Sequence, residues 1–175
     1  EVASVLGRIG NQDAGDFLCW ALAGDTEAMD NEIIDALDRI RSEKSDIEFS
    51  ETIIKSKIMR KIIEYCRIFT ELYEAESFGK KRKTREGLSR TLTFSLMNIF
   101  KLLGLIYSRE DIAKAYQNIR TGTKNSVAYA VELLDNTLKK EVRDVFLPLV
   151  EDLSPEEKVK RCREILRAFP ELKTK

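Results

Sequence analysis

Three cysteines, Cys19, Cys66 and Cys162, and 30 carboxylates are the side chains of this 175-residue chain with the widest chemical range. Histidine is absent, which removes Ser–His and Cys–His nucleophilic pairs and imidazole metal sites. The cysteines are far apart and never stand in a CxxC or other metal-ligand spacing. Each lies in an apolar stretch (FLCWAL, IIEYCRIF, VKRCREIL), so each is expected to act as a small half-buried hydrophobe, unpaired as in a reducing compartment. Among the carboxylates, Asp25, Glu27, Asp30, Glu32, Asp35 and Asp38 gather on and before one predicted helix. Paired carboxylates can do acid–base work. Here, however, Asp25 and Glu27 fall where a helix dipole favours them, and Asp35 and Asp38 fall on a predicted exposed face. The glycine and spacing of an EF-hand loop are missing, as are GxxxxGK[ST] and GxGxxG phosphate loops. No catalytic, cofactor-binding or metal-ligating residue is assigned, and the chain is expected not to be an enzyme.

The sharpest local feature is the basic run Lys80, Lys81, Arg82, Lys83, Thr84, Arg85. It reads first as a solvated loop between helices. Its functional reading is contact with an anion: a phosphorylated ligand, an acidic partner or lipid headgroups, near which each Lys or Arg contributes about 1 kcal/mol. Phe78 is the only aromatic beside it, so base stacking on single-stranded nucleic acid is poorly supported. Net charge is zero but uneven: residues 1–50 hold 12 acids and 4 bases, and residues 51–100 hold 6 acids and 11 bases. A nucleic-acid footprint normally shows a strong basic excess, so nucleic acid is an unlikely ligand class.

The elements that must position these residues are helices. Apolar residues recur at helical spacing in Ala14, Phe17, Leu18, Ala21 and Leu22, and again in Met29, Ile33, Ile34, Leu37 and Ile40. A long stripe follows through Ile54, Ile58, Ile62, Cys66, Phe69 and Tyr73. Another runs through Leu88, Leu92, Leu96, Ile99, Leu103 and Ile106, with further segments at 112–119, 127–138, 142–149 and 159–166. The short connectors (Gly24-Asp25, Ser108-Arg109, Thr121-Gly122-Thr123) predict antiparallel neighbours. Ser154-Pro155-Glu156-Glu157 marks a helix start with a capping box. Pro148 is expected to kink or split its helix. No strands are expected. The stretch 94–107 (FSLMNIFKLLGLIY) is apolar nearly all round and is expected in the central layer. At 14 residues with Asn98 and Lys101, it is too short to span a bilayer. Trp20 is expected to anchor a repeat core, unless the N-terminal edge leaves it exposed. Asp135 and Asn136 are expected to satisfy a helix end.

Leu6-Gly7-Arg8-Ile9-Gly10 returns as Leu37-Asp38-Arg39-Ile40-Arg41, with an apolar helix between. A period near 30 with a glycine-marked turn predicts stacked helical hairpins. Residues 1–41, with VASVLGRIGNQDAGDFLCWALAGD, resemble the HEAT-like repeats first associated with phycobilin lyases. From residue 85 to 168 the order YSREDIAKAY, NSVAYAVELLDN and LPL is similar to the soluble C-terminal HEAT region of bacterial ATP/ADP-translocase-like, major-facilitator-type membrane proteins. Glu132, Asp135 and Asn136 match the ELLDN of that family. The resemblance implies an all-α superhelix of eight or nine helices in stacked antiparallel pairs, one HEAT-like domain over 1–175. Residues 1–48 would form short repeats, and 49–175 longer, less regular pairs. It further implies a fragment of a longer chain. This would be a non-enzymatic interaction or scaffold domain on the cytoplasmic face of an inner-membrane parent, without cofactor. Its partner would be a protein or the parent's membrane part, with dimerisation through exposed repeat ends as a further possibility. A phycobilin-lyase-like protein and a nucleic-acid-binding HEAT-like domain are the alternatives.

Overall fold

The computed structural model describes residues 1–24 and 27–170. Among them are nine α-helices and no strand: α1 (Val2–Ile9), α2 (Gln12–Ala23), α3 (Glu27–Glu43), α4 (Glu51–Ser77), α5 (Arg82–Ile106), α6 (Arg109–Thr121), α7 (Lys124–Thr137), α8 (Lys140–Val150) and α9 (Pro155–Ala168). The all-helical expectation and the upper helix count hold. The Gly24-Asp25 connector lies partly outside the described residues.

The two glycines of the first repeat have separate physical jobs. Gly10 closes α1 in the left-handed region at φ 57°, its N–H donating to the Leu6 carbonyl at 3.0 Å, a conformation costly for residues with a Cβ. Gly7 lets α1 lie directly on α3: a Cβ there would stand 3.0 Å from that of Ala36. Asn11 then caps α2 by accepting from the Ala14 N–H at 2.9 Å. Between α3 and α4 the chain is pinned by Gln12, whose amide donates to the Glu48 carbonyl at 2.7 Å and accepts from the Glu48 N–H at 3.1 Å.

Helix ends follow the local chemistry elsewhere too. Ser154 and Glu157 form the expected capping box, with bonds of 3.2 and 3.1 Å. Ser108 and Thr123 cap α6 and α7. Pro148 does not split its helix: it lies near the C-terminal end of α8, which continues to Val150. There the missing N–H removes a single intrahelical bond.

One apolar cluster runs from Ala3 to Cys162, with Ile34, Leu37, Ile58, Ile62, Leu102, Leu103 and Phe146 fully or almost fully buried. Phe100 sits between two rings at its heart, 4.9 Å from Tyr116 and 5.3 Å from Phe146. Residues 98–105 of α5 are buried save the half-buried Lys101, as a central element requires, while Phe94 stays exposed. α5 packs against α3, α4 and α6. α4 is the hub: besides α5 it holds α2, α8 and α9. Contact between α4 and α9 joins elements far apart in sequence, unlike a stack in which each repeat touches only its neighbours.

Candidate functional site

The N-terminal helices leave the most apolar surface in water. Five of the nine large apolar side chains exposed among the described residues belong to α1 and α2: Val2, Val5, Ile9, Phe17 and Trp20. On α1 the three fall at i, i+3 and i+7, a helical stripe turned away from the buried Ala3 and Gly7. On α2, Leu18, Cys19 and Leu22 enter the core, while Phe17 and Trp20 point out with ring centroids 5.8 Å apart. Trp20 is 70% exposed, so it is not a core anchor. Its rotation on α2 places it opposite Leu18 and Leu22, the residues that face α3 and α4.

The acidic helix behaves differently from its sequence-based phase. Met29, taken as the start of the apolar stripe, is exposed, and Asp30 is 98% buried in its place. Asp30 accepts from Lys57 at 2.8 Å and lies 3.3 Å from Lys61, both lysines being buried as well. Lys61 also donates to Glu64 at 2.8 Å. Burial opposes its charge, but the Glu64 and Asp30 carboxylates prevail, and its pKa is raised. Next along α3, Asn31 accepts from the buried Asn98 amide at 2.8 Å. Asp35 and Asp38 reach Lys101 at 2.6 Å and Arg109 at 2.7 Å. Asp25 and the side chain of Glu27 lie outside the described residues.

Those last two ion pairs border an open hollow of about 240 Å³ between α3, α5 and α6. Met97, Phe100, Gly104, Ile112 and Tyr116 form its apolar wall, with Asp38, Lys101 and Arg109 as its charged members. Each of those charges already touches an opposite one. Among the described residues no group of three His, Cys, Asp or Glu side chains could hold a metal ion.

The basic run is not the loop expected. Lys80 and Lys81 precede α5, but Arg82, Lys83 and Arg85 belong to its first turn. That turn contains no acid and its cap no side-chain bond, so cations stand at the positive end of the helix dipole, where they are disfavoured. Lys80, Lys81 and Lys83 are exposed; Arg82 pairs with Glu86 at 2.7 Å; Arg85 is half-buried. Arg82 is thus compensated by Glu86, and Lys80, Lys81 and Lys83 are the other exposed cations of the run.

All three cysteines are fully buried rather than half-buried. Cys66 of α4 and Cys162 of α9 are free thiols, as expected, and influence each other across the packing of those two helices. Hydrogen bonding with Cys162 and burial push the Cys66 thiol up, whereas hydrogen bonding with Cys66, helped by the Lys158 ammonium, brings Cys162 down against its burial. Tyr65 is beside them, its phenol pushed up by burial. Nothing in the spacing of the cysteines signals this influence, which depends on α9 returning to α4. At the end of α7 the Asn136 amide donates back to the Glu132 carbonyl at 2.9 Å, a backbone contact as expected, whereas Asp135 pairs instead with the Arg143 side chain of α8 at 3.4 Å.

No described helix is long and apolar enough to cross a membrane. Comparison of the chain with protein-family models, with characterised proteins and with solved structures finds no match.

Proposed function

We propose that this chain is a non-enzymatic protein-interaction domain whose docking surface is the exposed apolar side of α1 and α2. The observation that carries the reading is Trp20, left 70% exposed beside Phe17. Trp, with Tyr and Arg, is enriched among the side chains at the energetic centre of protein interfaces. Covering an exposed aromatic removes a large apolar area from water, at about 25 cal/mol per Å². The fine architecture proposed is HEAT-like: α1, α2 and α3 form the hairpin layer predicted for residues 1–48, and the longer helices continue it less regularly. Support comes from Gly7 and Gly10, which perform the close approach and the turn that the repeat pattern requires.

The biological setting proposed is the cytosolic accessory part of a transporter-like bacterial membrane protein, by the resemblance of residues 85–168. The covering partner is then another part of the parent or a protein bound to it. The basic surface formed by Lys80, Lys81, Arg82, Lys83 and Arg85 is a second contact, to an acidic partner or an anionic membrane surface. An anion there would relieve the repulsion between those cations and the α5 dipole.

Reading the gene on both sides of this segment tests the setting. Apolar runs of about 18 residues or more are expected in the same frame; a frame that encodes these residues alone would overturn the membrane assignment. Co-sedimentation with phosphatidylserine vesicles, compared with neutral ones, tests the basic surface. Equal recovery on both would remove it.

A further inference from the structure

We propose that the exposed face of α2 receives a basic amphipathic helix of a partner protein, its arginines stacked on Phe17 and Trp20 and paired with Asp13 and Asp16. Such a helix is the partner of the docking surface proposed above, on which this inference rests. Asp13, Asp16, Phe17 and Trp20 stand at i, i+3, i+4 and i+7, one face of α2. All four are exposed, whereas Ala14, Gly15, Leu18, Cys19 and Leu22 on the opposite side are buried. Gln12 steadies Asp16: its amide donates to that carboxylate at 2.8 Å and to the Glu48 carbonyl at 2.7 Å. Gln12 is neutral, and among the described residues neither Asp13 nor Asp16 stands in an ion pair. Arg8 is the only basic side chain on α1 and α2.

The face holds two stations of the same make. In each, a carboxylate is followed four residues later by an aromatic ring, Asp13 by Phe17 and Asp16 by Trp20, which makes the two side chains neighbours on the helix surface. Arginine fits such a station: its planar guanidinium stacks on the ring while its N–H groups reach the carboxylate. A purely apolar partner would cover the rings but draw both carboxylates out of water unpaired, which is costly. The stations repeat after three residues, about 4.5 Å along the axis. Arginines at i and i+3 of a helix lying along α2 have the same rise. Same-side residues of an extended strand are about 6.6 Å apart and miss the second station. Approach is helped by the charge of residues 1–50, 12 acids against 4 bases.

Trp20 is the only tryptophan of the chain, so its fluorescence reports the site directly. The 175-residue chain is titrated with a synthetic helix of Ala and Leu carrying arginines at i and i+3, and with versions that have Gln or Glu in their place. A saturable change of Trp20 emission is expected with the Arg peptide, weakening as salt is raised, and none with the Glu peptide. Asp13→Asn combined with Asp16→Asn is expected to weaken binding about 5–30-fold. Glu71→Gln combined with Glu132→Gln removes the same charge elsewhere on the exposed surface and is expected to stay within about twofold of the parent. Equal losses in the two double variants overturn the assignment to Asp13 and Asp16. A Gln peptide that binds as tightly as the Arg peptide overturns the basic partner and leaves an apolar docking surface. Emission that changes with protein concentration alone places a second copy on the face and overturns a foreign helix. No response to any peptide also overturns the basic helix, and footprinting of the complete gene product then shows separately whether α2 docks at all.

Discussion

Lys57 donates to Asp30 at 2.8 Å from α4 to α3, with both side chains at most 5% exposed. A buried ion pair gives little net stability against an apolar replacement of equal shape, but losing one partner strands the other charge in the interior. Asp30 serves two lysines, so it is the residue whose loss is worst. Asp30→Ala is expected to destabilise the fold by about 3–5 kcal/mol in urea unfolding. Lys57→Met is expected to cost less, because Lys61 still faces Asp30 at 3.3 Å. An Asp30→Ala chain within about 1 kcal/mol of the parent would show that the cluster does not hold α3 to α4.

Glu51, in the first turn of α4, sits between Lys139 at 2.6 Å and Lys55 at 2.9 Å. Hydrogen bonds from those two ammonium groups lower its pKa from 4.5 to about 2. A carboxylate depressed in the folded state binds protons more readily when unfolded. Its contribution is therefore complete above about pH 4.5 and fades as the pH falls towards 2. Glu51→Gln is expected to flatten the acid limb of stability against pH in that window. Because the group is exposed, the difference should shrink in high salt. Parent and variant losing stability with identical slopes between pH 5 and 2 would rule the effect out.

Two helical glycines are expected to respond in opposite ways to the same added methyl. At Gly7 the new Cβ meets the Cβ of Ala36 at 3.0 Å and its Cα at 3.1 Å, so Gly7→Ala must push α1 off α3. A loss of about 1–3 kcal/mol is expected. At Gly104 the nearest atom is Ile112 Cγ2 at 4.0 Å, and the methyl enters the hollow. Gly104→Ala is expected to stabilise the chain by up to about 1 kcal/mol through helix propensity. Equal effects of the two changes in thermal unfolding would contradict the close packing of α1.

Where the sequence spoke locally, it was readable. Ser154, Glu157, Ser108 and Gly122 mark helix ends because capping is chemistry between residues three or four apart. Apolar periodicity located every helix from α2 onward. It failed by one position at Met29 and Asp30, since hydropathy ranks a carboxylate as surface and cannot see two lysines waiting on another helix. Asp30 does stand at i−3 and i−4 from Ile33 and Ile34, so helical geometry alone would have put it on the buried face. Lys57 and Lys61 likewise follow Ile54 and Ile58 by three residues, inside the α4 stripe. Trp20 and the mutual influence of Cys66 and Cys162 were hidden for a different reason. Whether an aromatic is covered, or two thiols come near enough to influence each other, is decided by which helices return to which, and that is tertiary information. The basic run was read as a solvated loop because consecutive cations carry no apolar periodicity; the structure begins α5 at Arg82, within it.

The docking surface proposed on α1 and α2 is open to a direct measurement. Hydroxyl-radical footprinting, resolved to single residues by mass spectrometry, compares the isolated 175-residue chain with the complete product of its gene. In the isolated chain Trp20 and Phe17 are expected to be oxidised freely, as their exposure of 70% and 49% requires. In the complete product both are expected to be protected several-fold, while Tyr129, exposed on α7, reacts as before. Trp20 and Phe17 oxidised at the same rate in both would contradict a docking surface on these helices.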